Sequence, residues 1–255
     1  MKRWPIFIIA LLAATASLAW IATRQMPDAR LHVYFLNAES GQAILVRTPS
    51  GKFMLVDGGP STGALLSALG RYLPFWQHTL DAVFATNQSS AAVLPLLDVC
   101  KRYQIRAALG PPAGEHQTAV YRSWRQVLSD RHIPLTEAQT DTELTLDGVR
   151  LLVVSTTGGN VALRLSYRNT SILLPGMTQA PLGEGSAAIV AVPQNAPFAT
   201  GRALDSFAAV VIFSGEKSGA TPPPATLPGA SMYMTRDGAV ELVSDGSTYQ
   251  LRHVR

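Results

Sequence analysis

The stretch "QAILVRTPSGKFMLVDGG", Gln42 to Gly59, narrows the folds open to this chain more than any other. Two β-rich runs, Gln42 to Thr48 and Lys52 to Asp57, flank "PSG", a Pro/Gly turn that brings neighbouring strands back antiparallel. A third run, "LHVYFL" (Leu31 to Leu36), precedes them. "STGALLSALGRYL" (Ser61 to Leu73) follows, with a helix-starting serine and apolar residues at Leu65, Leu66, Leu69 and Leu73, which is helical spacing. "LDAVFAT" (Leu80 to Thr86) then reads as a buried strand, and "PLLDVCKRY" (Pro95 to Tyr103) as a helix with proline in its first turn.

The second half follows a similar plan. "AVYRSWRQVLSD" (Ala119 to Asp130) puts Val120, Trp124, Val127 and Leu128 on one helical face. Strand signals follow at 144–155, 161–167, 170–176, 188–193, 208–215, 230–235 and 239–246, with a Pro/Gly-rich loop at 217–230. Many strands, several helices and no strict β-α-β alternation predict an α+β sandwich. No weak linker interrupts residues 31–255, so one domain is expected there.

Ahead of that domain, Trp4 to Thr23 is an uncharged apolar run of a length that crosses a bilayer as a helix. Residues 1–24 are therefore read as a transmembrane anchor or uncleaved signal, and residues 25–30 as a short polar linker. Lys2 and Arg3 keep the N-terminus cytoplasmic, which places the domain on the extracytoplasmic side of the cell membrane as a single-pass protein. The small residues Ala14 to Ala16 resemble a signal-peptidase site, an alternative that also exports the domain.

Charge argues against a nucleic-acid footprint. Four of the 21 basic residues (Lys2, Arg3, Arg24, Arg30) and one of the 17 acidic ones (Asp28) precede residue 31, leaving about +1 on residues 31–255. The basic groups at 101–106 and 121–126 read as solvated helix faces, so nucleic acid is a weakly supported partner. Cys100 is the sole cysteine and sits among Leu96, Leu97 and Val99, a setting for an inert buried thiol.

"FATNQSSAAVLPLL", Phe84 to Leu97, lies where the buried strand runs out into a polar turn and a helix, a place where hydrolases often cluster histidines and aspartates. This stretch holds none. Together with "FLNAESGQAILVRTPSGKFMLVDGGP" (Phe35 to Pro60), "GNVALRLSYRNTSILLPGM" (Gly159 to Met177), "VAVPQNAP" (Val190 to Pro197) and "YMTRDGAV" (Tyr233 to Val240), it resembles the metallo-β-lactamase fold, an αββα sandwich. Within that fold it resembles the extracytoplasmic domain of ComEC-type DNA-uptake proteins. The resemblance implies a dinuclear zinc or manganese centre held by histidines and carboxylates at strand ends. At the implied ligand positions this chain carries Asn87, Ser89, Ala91 and Ala92, with Met177 at the bridging aspartate and Gln194 (or Asn195) at a later histidine. Asn37 and Gln42 replace two further aspartates. Asp57 alone is retained, and the resemblance gives it a structural role in ordering the loop.

Alanine has no donor atom, and Asn, Gln, Ser and Met are poor substitutes for imidazole, so no metal and no catalytic residue is expected at the vacated site. His32, His78, His116, His132 and His253 are scattered without a ligand pair. Thr86, Ser89 and Ser90 have no base nearby in sequence, and turn and helix-capping chemistry accounts for them. The expected function is a membrane-anchored, catalytically inactive binding or assembly module, attached through residues 4–23 and serving a protein partner such as a competence or channel component. The alternative is a metal-dependent or metal-independent hydrolase of phosphodiesters or nucleic acid, with Asp57, Thr86, Ser89 and Ser90 around the pocket.

Overall fold

The computed structural model describes residues 8, 11–13, 15–17, 23, 26–37, 41–114, 117–177, 187–193, 207–214 and 230–254. Two sheets face each other. The first runs β17-β16-β1-β2-β3-β5-β7-β8, built from β1 (Leu31–Phe35), β2 (Ile44–Arg47), β3 (Phe53–Val56), β5 (Ala82–Phe84), β7 (Ala108–Gly110), β8 (Leu135–Glu137), β16 (Ala239–Ser244) and β17 (Tyr249–Val254). The second runs β15-β14-β13-β12-β11-β10-β9, built from β9 (Glu143–Leu146), β10 (Val149–Thr157), β11 (Asn160–Tyr167), β12 (Thr170–Leu174), β13 (Ile189–Pro193), β14 (Ala209–Phe213) and β15 (Ser231–Met234). A short parallel pair, β4 (Thr79–Leu80) with β6 (Gln104–Ile105), stands apart.

Both sheets have an antiparallel half and a parallel half. Pairing is antiparallel from β1 to β3 and parallel from β3 through β5 and β7 to β8. It is antiparallel from β9 to β12 and parallel from β12 to β15. Alternation along each strand fills the space between the sheets: Val33, Phe35, Ile44, Val46, Val56 and Phe84 meet Val153, Leu163, Leu165, Ile172, Val211 and Phe213.

The opposite face of the first sheet, with Tyr34, Leu45, Phe53, Leu55 and Val83, is covered by α1 (Thr62–Tyr72), α2 (Ser90–Arg102) and α3 (Ala119–Asp130). Each helix starts on a side-chain cap: Ser61, Ser89 and Thr118 accept from the backbone N–H three residues on, at 3.3, 3.3 and 3.2 Å. On the second sheet Leu173, Val190, Val192, Val210 and Ile212 form a further apolar face. The connections between its parallel strands fall at 178–186, 194–206 and 215–229, outside the described residues, so three layers of the expected αββα order are described.

Several expectations are revised. Helix α2 begins at Ser90 rather than Pro95, which places Pro95 in the second turn. The proline has no N–H to return to Ala91, and nearby the carbonyl of Ala92 accepts instead from Gly58 N at 3.0 Å. In α3 the buried residues are Tyr121, Trp124 and Leu128, whereas Val120 and Val127 are only partly buried. Strands β7, β8 and β17 were not expected from the sequence. Most of the apolar run at 4–23 lies outside the described residues, and among the described ones no helix is long and apolar enough to cross a membrane.

Residues 26–30 are not a free linker. Arg47 Nη2 donates to Met26 O at 2.6 Å, and Asp28 lies 3.0 Å from His32 Nε2. His32 Nδ1 meets Glu241 Oε1 at 2.9 Å, and Arg252 reaches Glu241 Oε2 at 2.6 and 2.8 Å. These donors, with the charges behind them, hold the Glu241 carboxyl down at about 2 although its burial works in the other direction.

Candidate functional site: the loop at the strand ends

Strands β3 and β5 run parallel and side by side, so the residues after them, Asp57 and Thr86, come together at one end of the sandwich. Asp57 takes a left-handed backbone (φ 56°), which turns its carboxylate toward Thr86. Its two oxygens accept from Thr86 N at 2.7 Å and Thr86 Oγ1 at 2.5 Å. Both residues are buried, at 2% and 1% exposure, and burial pushes the Asp57 carboxyl up to about 7 against the pull of the Thr86 donors.

Beyond Thr86, the polar side chains are taken up by local structure. Asn87 Oδ1 accepts from Ser89 N at 2.9 Å, closing an Asx turn, and Ser89 caps α2. Ser90 and Ala91 are exposed, while Ala92 is buried. Gln88 ties the loop to its surroundings: its backbone carbonyl accepts from Thr118 Oγ1 at 2.7 Å and its Oε1 from Thr118 N at 3.3 Å. The carbonyl of Thr86 accepts from Val161 N of β11 at 2.7 Å, which joins the two sheets at this end.

From the second sheet, Gly176 follows β12 with φ +57°, and a β-carbon there would sit 3.7 Å from Thr86 Oγ1. Met177, next along, is 39% exposed. Gln194 and Asn195 lie outside the described residues, as does His116. Asn37 is exposed and lines a separate cavity with Ser67, Arg71 and Tyr72, under α1. His32 is bound up with Asp28 and Glu241 on the outer face of the sheet, and Cys100 sits on the buried face of α2, where burial raises its thiol pKa.

The donor set does not suit a dinuclear metal centre. Among the described residues no three His, Cys, Asp or Glu side chains stand close enough together to hold an ion. Both oxygens of Asp57 already accept hydrogen bonds, and the oxygens of Asn87 and Ser89 accept from backbone amides.

Sequence reasoning did not single out Gln88, whose backbone and side chain together fasten the loop. It named Gln42 only as a lost aspartate. The structure buries Gln42 to 7% exposure, with neither its Oε1 nor its Nε2 hydrogen-bonded. The signal was a lone amide entering an otherwise apolar run, "QAILV".

No family model matches the sequence, and no curated protein matches it. Solved structures do share its architecture. The metallo-β-lactamase fold protein YhfI from Bacillus subtilis is 13% identical over 83% of this chain and 99% of its own, with a TM-score of 0.59. A diphosphatase of the PhnP family is 13% identical over 84% of this chain and 98% of its own, at 0.51. CmlA, a diiron β-hydroxylase from Streptomyces venezuelae, is 13% identical over 74% of this chain and 45% of its own, at 0.52. With the paired sheets and the strand-end loop where they are, the chain has the metallo-β-lactamase fold.

Proposed function

We propose that this chain is a membrane-anchored metallo-β-lactamase-fold domain without metal chemistry, acting through its surface as a binding or assembly module and connected with DNA uptake. One observation carries the reading. Side chains at two positions that the resemblance gives as ligands hold the loop instead: Asn87 closes a turn and Ser89 caps α2, while Asp57 beside them grips Thr86 with both oxygens. The connection with DNA uptake rests on the resemblance to ComEC-type domains alone, with a protein partner on the extracytoplasmic side. One helix at residues 4–23 is too little for a channel of its own.

The test is elemental analysis of protein expressed and purified with zinc and manganese present. The reading expects no stoichiometric metal; about two equivalents per chain would overturn it.

The competing reading, a hydrolase, draws on the Asp57 carboxyl pushed up to about 7 beside a hydroxyl at 2.5 Å. That pair is buried, at 2% and 1% exposure. Turnover of phosphodiesters or single-stranded DNA that disappears in Asp57→Asn would favour the hydrolase.

A further inference from the structure

We propose that the end of the sandwich opposite the vacated loop is a lipid-contacting surface, from which Phe75 and Trp76 insert into the bilayer. This rests on the anchor reading of residues 4–23 and adds an orientation to it: the vacated loop faces away from the bilayer.

Strand direction comes first. β1 is antiparallel to β2 and β2 to β3, so β1 and β3 run the same way, and β5 and β7 run with them. The starts of β1 and β5 therefore share one end of the sheet, and Asp57 and Thr86 stand at the other. β1 and β5 are three strand spacings apart in the sheet, about 14 Å, close enough to meet one flat surface.

The segment entering β1 is fixed to that end. Met26 N donates to Thr23 O at 3.3 Å, Arg47 holds Met26 O at 2.6 Å, and Asp28 pairs with His32 at 3.0 Å. Pro27 lies so close to Gly51 that a β-carbon there would be 2.7 Å from its ring. From Thr23 to Met26 the chain reaches about 10 Å at most. An apolar run that ends in the bilayer at Thr23 therefore brings this end of the sheet to the headgroups.

The turn before β4 lies at the same end. Phe75 is 61% exposed and Trp76 42%, their rings edge to face at 4.7 Å. From residue 26 onward, five large apolar side chains are exposed among the described residues, and three of them (Met26, Phe75, Trp76) stand at this end. An exposed Phe–Trp pair is costly in water and suits the membrane interface, where an aromatic ring meets both acyl chain and headgroup. Phe75 and Arg102 line a groove of about 380 Å³, and Arg102 supplies a cation for lipid phosphates there.

The test uses the full chain in vesicles of phosphatidylcholine and phosphatidylglycerol. The sequence has four tryptophans, and Trp124 is fully buried, so Trp4→Phe with Trp20→Phe leaves Trp76 as the accessible one. Lipids brominated near the headgroup are expected to quench roughly half of its emission, those brominated near the chain ends less, and an added Trp76→Phe to abolish the effect. No quenching, or equal quenching after Trp76→Phe, overturns the surface. Alkaline carbonate extraction separates this from the anchor: a chain that stays with the vesicles but shows no Trp76 quenching keeps the anchor and loses the surface. A chain that is released loses the anchor, and flotation of that chain with vesicles then decides the surface: binding lost on Phe75→Ser with Trp76→Ser supports it, and absent or unchanged binding overturns it.

Discussion

Asp57 accepts both the backbone N–H and the hydroxyl of Thr86, at 2.7 and 2.5 Å, across the gap between two parallel strands. Because burial raises this carboxyl from 3.8 to about 7, the folded state holds its proton over a range where the unfolded chain has released it. Its contribution is therefore full below about pH 4 and lost as pH rises toward 7. Asp57→Asn can still accept from Thr86 N and donate to Thr86 Oγ1. Chemical denaturation across this window should show stability falling with pH more steeply in the natural protein than in Asp57→Asn; parallel profiles would refute the assignment. Thr86→Val, which removes one donor, should cost about 1.5–3 kcal/mol near neutral pH.

Two glycines should respond in opposite ways. A β-carbon on Gly58 would meet Pro95 Cβ at 2.7 Å and Ala92 O at 3.2 Å, whereas one on Gly63 in α1 meets nothing within 4 Å. Gly58→Ala should destabilise by about 1–3 kcal/mol through overpacking, and Gly63→Ala should stabilise by up to about 1 kcal/mol through helix propensity. Thermal unfolding of the two variants checks the contrast.

Helix α1 and strands β1 to β3 were legible because their periods are undiluted: Leu65 and Leu69 are buried on one helix face, and β1 to β3 flank real turns. The start of α2 was not, because Pro95 looks like a first-turn proline while Ser89, the true cap, sits in a run of polar residues. β7 and β8 are three residues each and exist through their parallel neighbours, a tertiary effect that no local pattern carries. At the site, the lack of histidine and aspartate between Phe84 and Leu97 is plain in the sequence, but the bonds that hold the loop are not, since those of Gln88 to Thr118 and of Asp57 to Thr86 span 30 and 29 residues.

Ser89→Ala should lower stability by about 1 kcal/mol by uncapping α2, and leave the metal content of the protein unchanged. If Ser89 were a ligand, elemental analysis of the variant would show less metal than the parent.

His32→Ala should destabilise more than Asp28→Ala. The first leaves Glu241, at 4% exposure, without one of its partners; the second removes a half-exposed carboxylate from the same imidazole. Both should speed hydrogen exchange of the amides at 26–30, and mass spectrometry of that peptide reads the effect. An equal cost for the two variants would show that the buried contact is not the stronger one.

Gln42→Leu replaces a buried amide that makes no hydrogen bond with an apolar side chain of similar size, so it should raise the denaturation midpoint, by about 1 kcal/mol in stability. A loss of stability instead would mean that the amide holds a water or ligand.

β1 is flanked by β2 on one side and by β16 on the other, and its first residue, Leu31, pairs with Ser244. The first sheet therefore cannot close until β16 has been synthesised. While synthesis continues, β1 presents a bare edge to anything nearby, and closure must search across more than two hundred residues, a slow step by its contact order. Loss of the β16–β17 hairpin by premature termination would leave that edge open for good, beside the apolar segment that leads into it.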